Sequence, residues 1–212
     1  MTTTTPRAPR LRADASRNRA RIIAAAREAF VEHGADVPLD EIARRAGVGN
    51  ATLYRNFADR RELIHHVTLS VLDQVVEHAE RAMAEEPDAF AALTRFTHAA
   101  ADERMGALCP LLSDHIDMHD PELHEAKARL QETTTEVITR AHLSGQLRED
   151  VGVGDFVVAI TQLTRPLPGT HCLDLDQFVH RHLQLFLDGV QAPARSTLPG
   201  RAVTLDDLKP RV

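Results

Sequence analysis

The chain has 212 residues, 43% hydrophobic and 26% charged, enough for one moderate domain or a small domain joined to a larger one. The formal net charge of −6 alone argues against a nucleic-acid binder, but residues 1–61 carry twelve arginines against seven acidic residues, while residues 62–212 carry thirteen basic and twenty-four acidic ones. A basic front on an acidic remainder draws a polyanion to one end of the molecule and repels it from the other.

Residues 1–16 contain Thr2 to Thr5, Pro6 and Pro9 and are expected to form a disordered basic arm with Arg7, Arg10 and Arg12. Such an arm can lie along phosphates or in a minor groove, or serve only as a solubilising tail. Residues 17–33 repeat Ile22, Ile23, Ala26, Phe30 and Val31 at helical spacing and stop at Gly34. Residues 39–57 then read as two short helices around a turn at Gly47. Ile42, Ala43, Ala46, Val48, Leu53 and Phe57 face inward, and small Ala43 allows close approach. With Leu53 and Phe57 inward, Arg55 points outward with Ala51 and Thr52 beside it, flanked by Tyr54 and Asn56. A small, polar, basic second helix suits the major groove of DNA.

Asp59 and Glu62 form a capping-box pattern that opens a helix over about 60–84. Further helices are expected over 88–103, 107–118, 121–145, 154–166 and 174–190. Asp120 and Pro121 mark the start of one and Gly145 its end. No strand-like alternation competes, so the fold class is all-α, with about nine helices. The boundaries predicted are an arm over 1–16, a helix-turn-helix domain over 17–62, a helical body over 63–190 and a loose or surface-lying tail over 191–212. Cys109 and Cys172 form no CxxC pair, and neither a signal-type apolar run nor a membrane-length span occurs. A soluble protein of the reducing cytoplasm is expected. GxSxG, P-loop, GxGxxG and HExxH patterns are missing, so neither an enzyme nor a bound cofactor is expected.

The run Ala46-Gly-Val-Gly-Asn-Ala-Thr-Leu-Tyr-Arg-Asn-Phe57, followed by Asp59-Arg60-Arg61-Glu62-Leu63, resembles the DNA-binding head of the tetracycline-repressor (TetR) family. The resemblance covers about residues 17–65. It departs at Gly49, where the family often has a capping Ser. What it implies is a homodimer whose three-helix heads read a pseudo-palindromic operator in double-stranded DNA. It also implies a helical body that binds a small inducer, and pairing of the last two major helices with their copies. On that footing Tyr54, Thr52 and Arg60 are candidates for phosphate contacts, with Arg44 at the backbone or in solvent. Arg55, Asn50 and Ala51 are candidates for base edges. Pocket candidates are Val71, Val75, Phe90, Leu93, Phe96, Leu108, Leu111 and Leu112, against an alternative of ordinary core. Scarce aromatics favour an aliphatic ligand. Candidates for the dimer seam are Phe156, Ile160, Leu163, Phe178, Leu183 and Phe186, against an alternative of intrachain packing. The function expected is a ligand-responsive transcriptional repressor. Two alternatives stand: a metal sensor using His115 and His119 as an i, i+4 pair on one helix, or a regulator without a small-molecule ligand.

Overall fold

A computed structural model describes residues 8–112, 115–117, 119–165 and 176–208. Among these residues are nine α-helices and no strand. They are α1 (Ala8–His33), α2 (Leu39–Arg45), α3 (Asn50–Asn56), α4 (Arg60–Glu85), α5 (Ala89–Asp102), α6 (Met105–Leu112), α7 (Pro121–Leu143), α8 (Val153–Leu163) and α9 (Val179–Val190). The helices divide into two compact units. One takes in the chain up to Ser70 with Pro110–Asp117, and the other holds Val71–Cys109 and the chain from Met118 onward. The boundary expected at residue 62 and the division after Ser70 both fall within α4.

In the first unit, α1 turns Ile22, Ala26, Ala29 and Phe30 inward, and α2 contributes Ile42 and Ala43. Leu53 of α3, Phe57 beyond it, and Leu63, Ile64 and Val67 of α4 are buried too. α1 starts earlier than residue 17, so the arm expected over 1–16 is helical from Ala8. The run Arg10-Leu-Arg-Ala13 consists of strong helix formers, and Pro9 falls in the first turn, where its missing N–H costs no hydrogen bond. Arg7 lies outside the described residues.

The cap signals act locally as their chemistry requires. Asp59 Oδ1 accepts from the Glu62 amide at 2.8 Å. Glu62 reaches back to the Ala58 amide at 2.6 Å, one residue beyond the Asp59 amide that a reciprocal box would use. Asp88 caps α5 through the Ala91 amide at 2.7 Å, and Asp120 caps α7 through the Leu123 amide at 3.0 Å.

In the second unit, one core gathers Val75 and Ala79 of α4, Phe90, Leu93 and Phe96 of α5, and Val137 and Ile138 of α7. Phe156 of α8 and Leu187 of α9 complete it. Phe156 meets Phe186 edge-on, with ring centroids 5.2 Å apart. The segment after α9 is fastened rather than loose. The Ala192 amide donates to Gln146 O at 2.8 Å, Arg148 Nη2 to Ser196 O at 2.7 Å, and the Gly154 amide to Val203 O at 2.9 Å. No described helix is long and apolar enough to cross a membrane.

Three predicted ends shift. α6 stops at Leu112 rather than 118, α8 stops at Leu163 rather than 166, and α9 starts at Val179 after a single 3-10 turn over Asp176–Phe178. Residues 113 and 114 lie outside the described residues. Residues 174 and 175 lie outside the described residues.

Candidate nucleic-acid interface

The turn between α2 and α3 is built from the backbone. Gly47 has φ +62°, the left-handed conformation that glycine adopts at least cost. Its amide donates to Arg44 O at 3.1 Å, and the Val48 amide donates to Ala43 O at 3.0 Å. These two bonds make a Schellman motif, which ends α2 abruptly and redirects the chain. Gly49 caps α3 in an extended conformation, with no side-chain cap bond. Its carbonyl takes the Thr52 amide at 2.8 Å and the Leu53 amide at 3.2 Å. Asn50 is thus the first helical residue.

With Leu53 and Phe57 buried, the other side of α3 is presented outward. Asn50, Ala51, Tyr54 and Arg55 are exposed, Tyr54 by 52%, and Thr52 is half-buried. Arg55 folds back along the helix: Nε donates to Ala51 O and Nη2 to Thr52 Oγ1, both at 3.0 Å. The face therefore offers a phenol, a guanidinium, an amide, a hydroxyl and a methyl, the kinds of group that meet phosphates and base edges.

The flanking arginines are paired within the unit. Arg44, exposed on α2, grips Glu41 with Nε at 2.9 Å and Nη2 at 2.7 Å. Arg45 donates to Glu41 at 2.9 Å and to Glu32 at 2.7 Å. Hydrogen bonds from Arg44 and then Arg45 hold the Glu41 carboxyl at about 2, below its ordinary 4.5. Arg60, expected at a phosphate, is half-buried and donates to the Ala35 carbonyl. In this structure it ties the α1–α2 loop to the start of α4.

Two positioning arginines of α1 were not foreseen. Arg19 donates to Asn56 O at 2.8 Å and lies 4.5 Å over the Phe57 ring, so it fixes the end of α3. Arg21 reaches Gly47 O at 3.3 Å, on the turn itself. Both arginines are visible in the sequence, but their partners lie 26 to 37 residues away.

The other sequence candidates fall as follows. Val75, Phe90, Leu93 and Phe96 are packed in the core of the second unit, where Val71 and Leu108 are also buried. Leu112 is buried in the first unit, and the side chain of Leu111 lies outside the described residues. A groove of about 420 Å³ opens in the second unit beside Leu147, Arg148, Glu149 and Ala192, and includes none of these. Of the dimer candidates, Phe156 and Leu183 are buried within the chain, which corrects their assignment to an interface. They fall on the inner stripes of α8 and α9, as do Leu187 and Val190. Ile160, Leu163 and Phe186 are half-buried, and Phe178 is 42% exposed. Val158 and Leu185, the latter 57% exposed, lie outward and are not among these candidates. His115 and His119 fall beyond the end of α6, so they do not share a helix. Among the described residues neither belongs to a cluster of three potential metal ligands.

Comparison with known proteins agrees with this geometry. Residues 22–67 match the family described as bacterial regulatory proteins, tetR family, and residues 86–192 match the SbtR-like transcriptional regulator C-terminal domain. The chain is similar to a solved TetR transcriptional regulator from Streptomyces coelicolor, with 30% identity and a TM-score of 0.65 over 83% of this chain and 99% of that one. It is also similar to a TetR transcription regulatory protein from Mycobacterium vanbaalenii, with 30% identity and a TM-score of 0.62 over 86% and 99%. An HTH-type transcriptional regulator of Staphylococcus aureus is 38% identical over 69 residues, 32% of this chain and 37% of its own length. The match thus spans little more than a third of that curated relative.

Proposed function

Because the chain belongs to the tetR family of bacterial regulatory proteins, whose members are DNA-binding transcriptional regulators, we propose that it is a ligand-responsive repressor acting as a homodimer on a pseudo-palindromic operator. The observation that carries this reading is the outward face of α3. Asn50, Ala51, Tyr54 and Arg55 are exposed together, while Leu53 and Phe57 anchor the helix from behind. In the bound state Tyr54 and Thr52 give hydroxyls to phosphates, and Arg55, Asn50 and Ala51 meet base edges. Arg44 and Arg60 flank the face and exchange Glu41 and the Ala35 carbonyl for phosphate oxygens. A dimer places two such heads one helical turn apart. The outward apolar groups Val158 of α8, Phe178 just before α9 and Leu185 of α9, with half-buried Ile160, Leu163 and Phe186, provide the seam.

An inducer that prefers a different head separation would release the operator. Val71, Val75, Phe90, Leu93 and Phe96 are the walls it would part. The relative solved with proflavine, from Mycobacterium smegmatis, is similar at 24% identity and indicates the fold alone. The close packing of Val75, Phe90, Leu93 and Phe96 is what favours a second reading, a regulator without a small-molecule ligand. The metal reading of His115 and His119 loses its basis with their common helix.

Selection of genomic fragments by the full-length protein tests the DNA reading. The recovered fragments are expected to share a two-fold sequence. Tyr54→Phe is expected to weaken binding to them about fivefold, roughly 1 kcal/mol for one hydrogen bond. Fragments with no common sequence, bound equally by Tyr54→Phe, would overturn it.

A further inference from the structure

α5 and α9 are joined by side chains in series. His180 Nε2 lies 2.9 Å from Asp102 Oδ1. A carboxylate only accepts, so this nitrogen carries a hydrogen. On the other ring, His98 Nε2 lies 3.2 Å from Gln184 Oε1. The orientation of that amide is set at its other end, where Gln184 Nε2 donates to Asp188 Oδ1 at 2.8 Å. Turning the amide over would set a carbonyl against a carboxylate, so Oε1 accepts and His98 Nε2 is the donor.

A neutral imidazole with its hydrogen on Nε2 has a lone pair on Nδ1. The two Nδ1 atoms are 2.9 Å apart. The ring centroids are 5.2 Å apart, with the planes 29° from parallel. The difference between these two distances is the span of two ring radii, so both nitrogens lie on the line between the rings. Their lone pairs are aimed at each other. Two acceptors repel in that arrangement, and a proton between them turns the repulsion into a hydrogen bond. A metal ion would instead need the lone pairs to converge on a third point.

We propose that His98 and His180 bind one shared proton between their Nδ1 atoms, and that this proton clasps α5 to α9. It is taken from water, and the pair gains one positive charge. Asp102 of α5 faces that charge directly, and Asp188 of α9 faces it through Gln184. On α9, Arg181 and His182 neighbour His180, with His182 Nδ1 turned to the Phe178 carbonyl at 2.8 Å. α7 and α8 also pack on these helices but give neither ring a hydrogen bond among the described residues. A second proton would put two positive rings in contact, which like charge opposes. The clasp therefore holds with one proton between the rings and opens with none, as in alkali, or with two. The seating of α9 becomes pH-dependent, whether or not the chain binds DNA as proposed.

Long-range nitrogen–proton NMR of the full-length protein, with ¹⁵N-labelled histidine, reads the clasp directly. Both Nε2 atoms are expected to be protonated. Both Nδ1 resonances should lie between the protonated and free positions and move together as pH rises. Thermal unfolding of His98→Gln, His180→Gln and the double variant provides a second reading. Near neutrality either single change should lower Tm as much as both do, and the loss should shrink in alkali. Independent titration of the two rings, additive Tm losses, or resonances that shift on adding a chelator would each overturn the proposal.

Discussion

At the scale of single residues, Glu41 sets the state of Arg44 and Arg45 at the end of α2. It accepts two hydrogen bonds from Arg44 and one from Arg45, and these hold its carboxyl at about 2 instead of 4.5. The sign follows from the protons bound. Between these two values the unfolded chain binds more protons at this site than the folded one, so stability rises with pH there. The contribution is complete above about 4.5 and is lost as pH falls toward 2. Glu41→Gln is therefore expected to flatten the acid limb of thermal stability over that interval. The same change releases Arg44 and removes a negative charge from the first unit, so on the proposed reading it should raise DNA affinity. An unchanged acid limb in pH-dependent unfolding would contradict this account of Glu41.

At the scale of elements, close approach and helix face decide what each helix does. Gly106 of α6 lies against the Thr161 carbonyl and Thr164 Oγ1 at the end of α8, with no room for a Cβ. Gly106→Ala is expected to cost about 1–3 kcal/mol by overpacking, read by denaturant unfolding. On α9, Leu183 and Leu185 differ by two positions and in every consequence. Leu183 is fully buried and Leu185 is 57% exposed. Leu183→Ala should cost about 2–5 kcal/mol of stability. Leu185→Glu should leave Tm nearly unchanged while moving the sedimentation of the protein toward monomer. A dimer that persists in Leu185→Glu would remove α9 from the seam.

This pair also marks how far the sequence can be read. Gly47, Asp59 with Glu62, and Asp120 with Pro121 are local signals, and their turns and caps form where the spacing places them, because the bonds join residues within five positions. The outward face of α3 follows in the same way from Leu53 and Phe57. Which apolar residue of α9 faces inward depends on α5 and α8, so Leu183 and Leu185 look alike in one dimension. The ties from Arg19 to Asn56, from Arg148 to Ser196 and from His98 to His180 are equally hidden, since each joins segments 37 to 82 residues apart.

At the scale of the whole molecule, charge division and family membership point the same way. A chain of net charge −6 with a basic first 61 residues is drawn to DNA by that end alone. Its binding should weaken steeply as salt rises. The central claim is that the outward face of α3 reads sequence, and it is tested most directly by one titration. Full-length protein and Arg55→Ala are compared on a recovered genomic site and on a scrambled duplex of equal length, at fixed salt. The wild type is predicted to prefer the recovered site by about a thousandfold or more. Arg55→Ala should lose about ten- to a hundredfold on that site and little on the scrambled one. Equal affinity of the wild type for both duplexes, or an Arg55→Ala loss of the same size on each, would contradict it.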